Sequence, residues 1–213
     1  EKLLQVPVTS RVTATSEPYG LDRPSGPDWL LYLDRRDTVQ DSAELLAGSW
    51  PEPWTGGDAP IPVAIPAVGA TAMGVEVGDA FELLDRRAPE NDLTVRVSGI
   101  YQDAFPARTE WARDRLGGWG YSPSFPVPGS AGMQMTEAIG PLIVSAETMD
   151  RAAILVQRAY VHVDPDLTAV RATRLPALRT AAATLADELG FEIDELAGST
   201  EVTGSLRYLV DET

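Results

Sequence analysis

The chain has 213 residues, enough for one large domain or two smaller subdomains around a buried core. Its formal net charge of -15 repels phosphate backbones and anionic lipid headgroups, which sets nucleic acid aside as a partner. It has no cysteine, so disulfides, thiolate metal sites and cysteine catalysis are excluded.

The basic residues are almost all arginine, Lys2 being the one lysine, as a GC-rich bacterial genome would encode. They form no basic patch: the densest pairs, Arg35-Arg36 and Arg86-Arg87, have acidic neighbours. No apolar run reaches membrane-spanning length. The chain opens at Glu1 and closes abruptly at "YLVDET", and is expected to be a piece of a longer protein.

In chain order, "KLLQVPVTSRVTAT" (2–15) alternates partially and is rich in β-branched residues, which predicts a strand. "EPYGLDRPSGPD" is expected to be loop, punctuated by proline and glycine. "WLLYL" (29–33) predicts a buried strand. "DSAELLAGSWPEP" is expected to form a short helical turn capped by Asp41 or Ser42 and ended by Gly48 and Pro51.

The stretch "IPVAIPAVGATAMGVEVGDAFEL" (61–83) reads as strand, small-residue helix, Gly-Asp turn and strand. The helix, about 67–73, is expected to stop at a left-handed Gly74. In "LTVRVSGIY" (93–101), Leu93, Val95 and Val97 would face a core while Thr94, Arg96 and Ser98 face water. Gly99 marks a change of phase and predicts a bulge.

Residues 103–139 are expected to be the least regular third. "PLIVSAETMDRAAILVQ" predicts a strand, a Ser145 cap and a helix with Glu147 in its first turn. "AYVHVD" predicts a strand. Leu175, Leu178, Ala182, Leu185 and Leu189 predict one apolar helical face closed by Gly190, and "FEI" a last strand. This mixture, without strict βαβ alternation, predicts an α+β fold in two subdomains. One would comprise about 1–49 plus 140–213; the other, β-rich with a long loop, about 50–139.

Catalytic motifs are sparse. His162, the single histidine, sits within "YVHVD" opposite Val161 and Val163, as a strand-surface residue would. No G-x-S-x-G elbow, G-x-G-x-x-G, P-loop or EF-hand loop occurs, and one histidine cannot build a histidine metal cluster. Neither cofactor nor metal is expected. The stretch "ARTEWARDRLGGWGY" places Glu110 and Asp114 near Trp111, Trp119 and Tyr121. Carboxylates beside aromatic rings occur in sugar sites. The same residues also fit a loop whose aromatics anchor it to the core and whose acids are solvated.

The order of "LLAGSWPEP", "VAIPAVGATAMGVEVGDAFEL", "VRVSGIYQ" and "GPLIVS" resembles the extracytoplasmic domain of FtsX-like permeases, the MacB family of ABC transporters. "TEWARDRLGG" resembles a Trp-containing segment of actinobacterial members. The resemblance covers roughly 40–150. Ser49 departs from it, since members often carry arginine there, which leaves any role of that arginine without a counterpart.

The resemblance implies a MacB-like periplasmic core architecture inserted between two membrane helices. It implies a non-enzymatic function: binding an extracellular cargo or protein partner, and mechanical coupling to a cytoplasmic ABC ATPase through those helices. On that reading Glu1 and Thr213 lie at the same end of the domain. Trp111, Trp119, Tyr121, Glu110 and Asp114 are the candidate partner-binding residues, because long loops on rigid scaffolds carry recognition and tryptophan and tyrosine are favoured anchors. The competing readings are a secreted carbohydrate-active hydrolase using Glu110 or Asp114, and a free-standing cell-surface binding module.

Overall fold

A computed structural model describes residues 8–21, 29–103, 111, 114–128, 134–152, 154–166, 172–174, 176–177, 180 and 184. The residues of the expected apolar helical face (Leu175, Leu178, Ala182, Leu185 and Leu189), the strand "FEI", the side chain of His162 and both chain ends lie outside the described residues. The chain divides into two compact units, residues 1–10 with 162–213, and residues 11–161.

A mixed sheet lies mainly in the larger unit. Its strands are β1 (Val8–Ser16), β2 (Tyr19–Leu21), β3 (Trp29–Arg36), β4 (Ala43–Gly48), β5 (Ile61–Pro66), β6 (Ala80–Leu83), β7 (Leu93–Asp103), β8 (Tyr121–Pro126), β9 (Met135–Val144) and β10 (Val156–Pro165). Three short helices accompany them: α1 (Val39–Ser42), α2 (Ala67–Met73) and α3 (Ala146–Arg151). The order along the sheet is β10-β1-β3-β9-β5-β7-β4, with β2 on β3, β6 on β7 and β8 on β9. Parallel pairs β3–β9 and β5–β7 sit among antiparallel ones. This is an α+β fold, as the mixture of patterns predicted.

The alternation of β7 decides which face is core. Val95 and Val97 are buried and pair with Ile61 and Val63 of β5. With Leu31 and Leu33 of β3 and Leu142 and Val144 of β9 they form the main apolar core. Gly99 is where the β5–β7 register shifts, as the phase change predicted. Helix α2 ends at Gly74 with φ 69° and ψ 33°, the left-handed cap expected there. Ser145 caps α3, accepting from the Thr148 amide at 3.1 Å.

Three local expectations are corrected. The "DSAELLAGS" stretch is helical only to Ser42; Ala43–Gly48 form strand β4 instead. Pairing of Glu44 with Gln102 and Leu45 with Tyr101 outweighs the helix propensity of Glu and Leu. The stretch read as loop contains strand β2, held on β3 by Tyr19–Leu31 and Leu21–Trp29 registers. The irregular third contains β8, whose Tyr121 and Ser122 pair with Ile139 and Ala138.

Candidate functional site

Period-2 alternation puts Leu30, Tyr32, Asp34 and Arg36 on the face of β3 opposite the main core. All four are buried. Among the residues packed on this part of the sheet are Trp111 and Leu116, from the connection between β7 and β8.

Trp111 is the floor of that segment. Only 1% exposed, it belongs to a second apolar cluster with Val39, Ala43, Ala64, Tyr101 and Ile143. Its ring stacks on Tyr101 with centroids 6.1 Å apart, and the Arg36 guanidinium lies 4.1 Å from its ring centroid. A ring enclosed in this way offers no surface to a partner, so the expected binding role does not fit the position of Trp111.

Asp114 folds the turn. Its Oδ1 accepts from the Tyr32 hydroxyl at 2.7 Å. Its Oδ2 accepts from the amides of Leu116 and Gly118, each at 3.0 Å. The neighbouring Asp114 amide donates to the Trp111 carbonyl at 3.0 Å. Beneath the turn, buried Asp34 accepts from Thr15 Oγ1 and from Arg36, both at 2.8 Å. Burial outweighs these favourable partners and pushes the Asp34 carboxyl up to about 6, while Asp34 in turn holds the Arg36 cation more firmly protonated. Burial, then the Asp114 charge, raise the Tyr32 phenol well above its ordinary value, so it remains a hydrogen-bond donor.

Trp119 is held outward. Its ring is 72% exposed, on a turn where Gly117, Gly118 and Gly120 have φ of 62°, 81° and 72°. Gly120 is fixed by close approach: a Cβ there would lie 2.7 Å from Pro66 and 2.8 Å from Val68. Its carbonyl accepts from the Gly140 amide at 3.1 Å. Val68 on α2, itself 51% exposed, is therefore the apolar neighbour of the turn that displays Trp119. Tyr121 is half-buried against the main core, and its hydroxyl donates to Glu137 at 2.8 Å. Glu110 lies outside the described residues.

The candidate residues thus separate by function in the fold. Trp111 packs, Asp114 caps, Tyr121 is partly enclosed, and Trp119 is displayed. Sequence reasoning missed the layer beneath, Tyr32, Asp34 and Arg36. The signal was available: in "WLLYLDRR" these polar residues continue the even-numbered face of a strand whose odd-numbered face is core.

Other concavities are less convergent. A cleft of about 250 Å³ is lined by Glu17, Tyr19, Asp85, Arg86, Arg87 and Gln157. The Glu17 carboxylate in it is already engaged, accepting from Arg87 and from Gln157. Among the described residues no cluster of three or more His, Asp or Glu side chains is arranged to hold a metal ion, and no helix is long and apolar enough to cross a membrane.

No family model matches the sequence, and no curated protein matches it at the sequence level. Among solved structures, the chain is similar to a domain named as that of a permease protein from Porphyromonas gingivalis. The similarity has 14% identity and a TM-score of 0.39, and covers 86% of this chain and 72% of that one.

Proposed function

We propose that the chain is the extracytoplasmic domain of an FtsX-like ABC transporter permease. In this reading it binds an extracellular cargo or protein partner through the turn bearing Trp119. It works without catalytic side chains and couples mechanically to a cytoplasmic ATPase through membrane helices. The observation that carries the reading is a division of labour. The segments bearing the family resemblance form β5, α2, β6, β7 and β9, which are scaffold, while the displayed residue, Trp119, stands on a turn tied to that scaffold. A large amphipathic ring on a rigid base is what an interface anchor requires.

The alternative hydrolase would use Glu110, which lies outside the described residues, or Asp114. The two oxygens of Asp114 are already occupied by one hydroxyl and two amides that shape the turn, which disfavours Asp114 as an acid or base.

The test is to express the full-length gene product, with a photo-crosslinking residue at position 119, and purify it from membranes. The reading expects co-purification with a cytoplasmic ATPase and a discrete crosslinked product that is lost when the photo-residue is moved to exposed Leu46. Absence of membrane segments flanking this region would overturn it. So would polysaccharide turnover that disappears in Glu110→Gln or Asp114→Asn.

A further inference from the structure

We infer that Asp114 and Tyr32 are positioning residues that set how Trp119 is presented, and that neither contacts the partner itself. This deepens the proposed binding role and rests on it only for its biological purpose.

The geometry is a post and a collar. Tyr32 is the post: it stands on a central strand, is 2% exposed, and packs with Leu30, Leu116 and Ala138. The Arg115 guanidinium lies 5.7 Å from its ring centroid, and Arg115 also donates to the Ser16 carbonyl at 3.4 Å. Asp114 is the collar. One carboxylate oxygen takes the post's hydroxyl, and the other gathers the amides of Leu116 and Gly118. Those amides flank the left-handed Gly117, whose own amide donates to the Asp114 carbonyl at 3.0 Å. The next link is the Trp119 amide, which donates to the Leu116 carbonyl at 3.2 Å.

From the sheet to the exposed indole the chain of contacts is therefore Tyr32, Asp114, the Leu116–Gly118 turn, Trp119. Hydrogen bonds to an ionised carboxylate are stronger than neutral ones. Three donors on one carboxylate remove most of the turn's freedom before any partner arrives, which is the condition for an exposed ring to bind without a large ordering cost. A carboxylate so engaged has little capacity left for a ligand.

The experiment follows Trp119 and the turn without any partner, so its failure and a failure of Trp119 to bind are separate results. The chain is labelled with 5-fluorotryptophan, the Trp119 resonance being assigned through Trp119→Phe, and amide exchange is measured residue by residue. In Asp114→Ala, exchange at Leu116 and Gly118 should accelerate roughly tenfold or more, and the Trp119 fluorine resonance should move toward that of a solvated indole. Asp114→Asn, which keeps one carbonyl acceptor, should show a smaller change in both.

Tyr32→Phe leaves the ring in place and removes only the hydroxyl. It should reproduce the direction of the effect while exchange at Val95 and Val97 of β7 stays as in the parent. Exchange at Leu116 and Gly118 unchanged within about twofold in Tyr32→Phe and in Asp114→Asn, with an unmoved Trp119 resonance, would overturn the assignment. So would a Trp119 resonance that shifts only in step with loss of protection throughout β7, since that reports general unfolding.

Discussion

The Arg36 guanidinium lies 4.1 Å from the centroid of the Trp111 ring and donates to Asp34 at 2.8 Å. The sheet face beneath the turn thus carries buried charges beside its aromatic rings, in contrast to the apolar core opposite. Cation–π contacts of this kind gain strength when water is excluded, and here both partners are buried. Removing Trp111 takes this contact from Arg36 but leaves its bond to Asp34.

Trp111 and Trp119 should respond oppositely to truncation. Trp111→Ala opens a cavity and uncovers Arg36, and is expected to cost about 3–5 kcal/mol in chemical denaturation. Trp119→Ala removes an exposed ring and should change stability by no more than about 0.5 kcal/mol. Equal losses at the two positions would contradict the division between anchor and display.

Asp34 should titrate with a midpoint of about 6 in a carbon-detected NMR titration. The sign of its linkage follows from that value. The folded carboxyl lies above its ordinary 3.8, so the folded state holds the proton more tightly than the unfolded one. The resulting stability is complete below the unfolded value and is lost as pH rises through about 6. The gap corresponds to ~3 kcal/mol. Denaturation curves taken across this range should show the parent losing that amount relative to Asp34→Asn, which cannot titrate. A constant difference between the two proteins at every pH would refute the assignment.

Gly48 ends β4 with φ 75°, and a Cβ there would collide with the Ser98 carbonyl oxygen. Backbone strain and overpacking act together, so Gly48→Ala should destabilise by about 3 kcal/mol. A thermal melt within the error of the parent would show that the β4–β7 junction relaxes more freely than this contact allows.

Ser145→Ala should cost about 1 kcal/mol through loss of the α3 cap. Ser145→Asp, which restores an acceptor, should recover most of it in the same denaturation assay.

The readable parts of the sequence were those in which local chemistry and tertiary packing agree. Val95 and Val97 alternate and are buried; Gly74 ends a helix where only a left-handed residue suits; Ser145 stands one residue before α3. The unreadable parts were those in which a distant strand decides. Ala43–Gly48 has the residues of a helix, yet β7 offers its backbone a ladder. Tyr19–Leu21 and Tyr121–Pro126 are short and rich in glycine, serine or proline, and become strands only because β3 and β9 lie alongside. At the candidate site, composition identified the aromatic-acidic segment but could not rank its members. Whether a tryptophan packs or projects depends on which side of the turn meets Tyr101 on the preceding strand and Arg36 on β3, and Arg36 lies far away in sequence.

Tyr32 and Asp114 are separated by 82 positions along the chain. Closing so long a loop carries an entropic penalty that contacts within the turn cannot offset alone. The bonds of Asp114 to Leu116 and Gly118 are local, whereas its bond to Tyr32 needs the sheet to bring the two segments together. Truncation or loosening of β3 should therefore be felt at the distant Trp119 turn, whose support reaches the sheet through Tyr32.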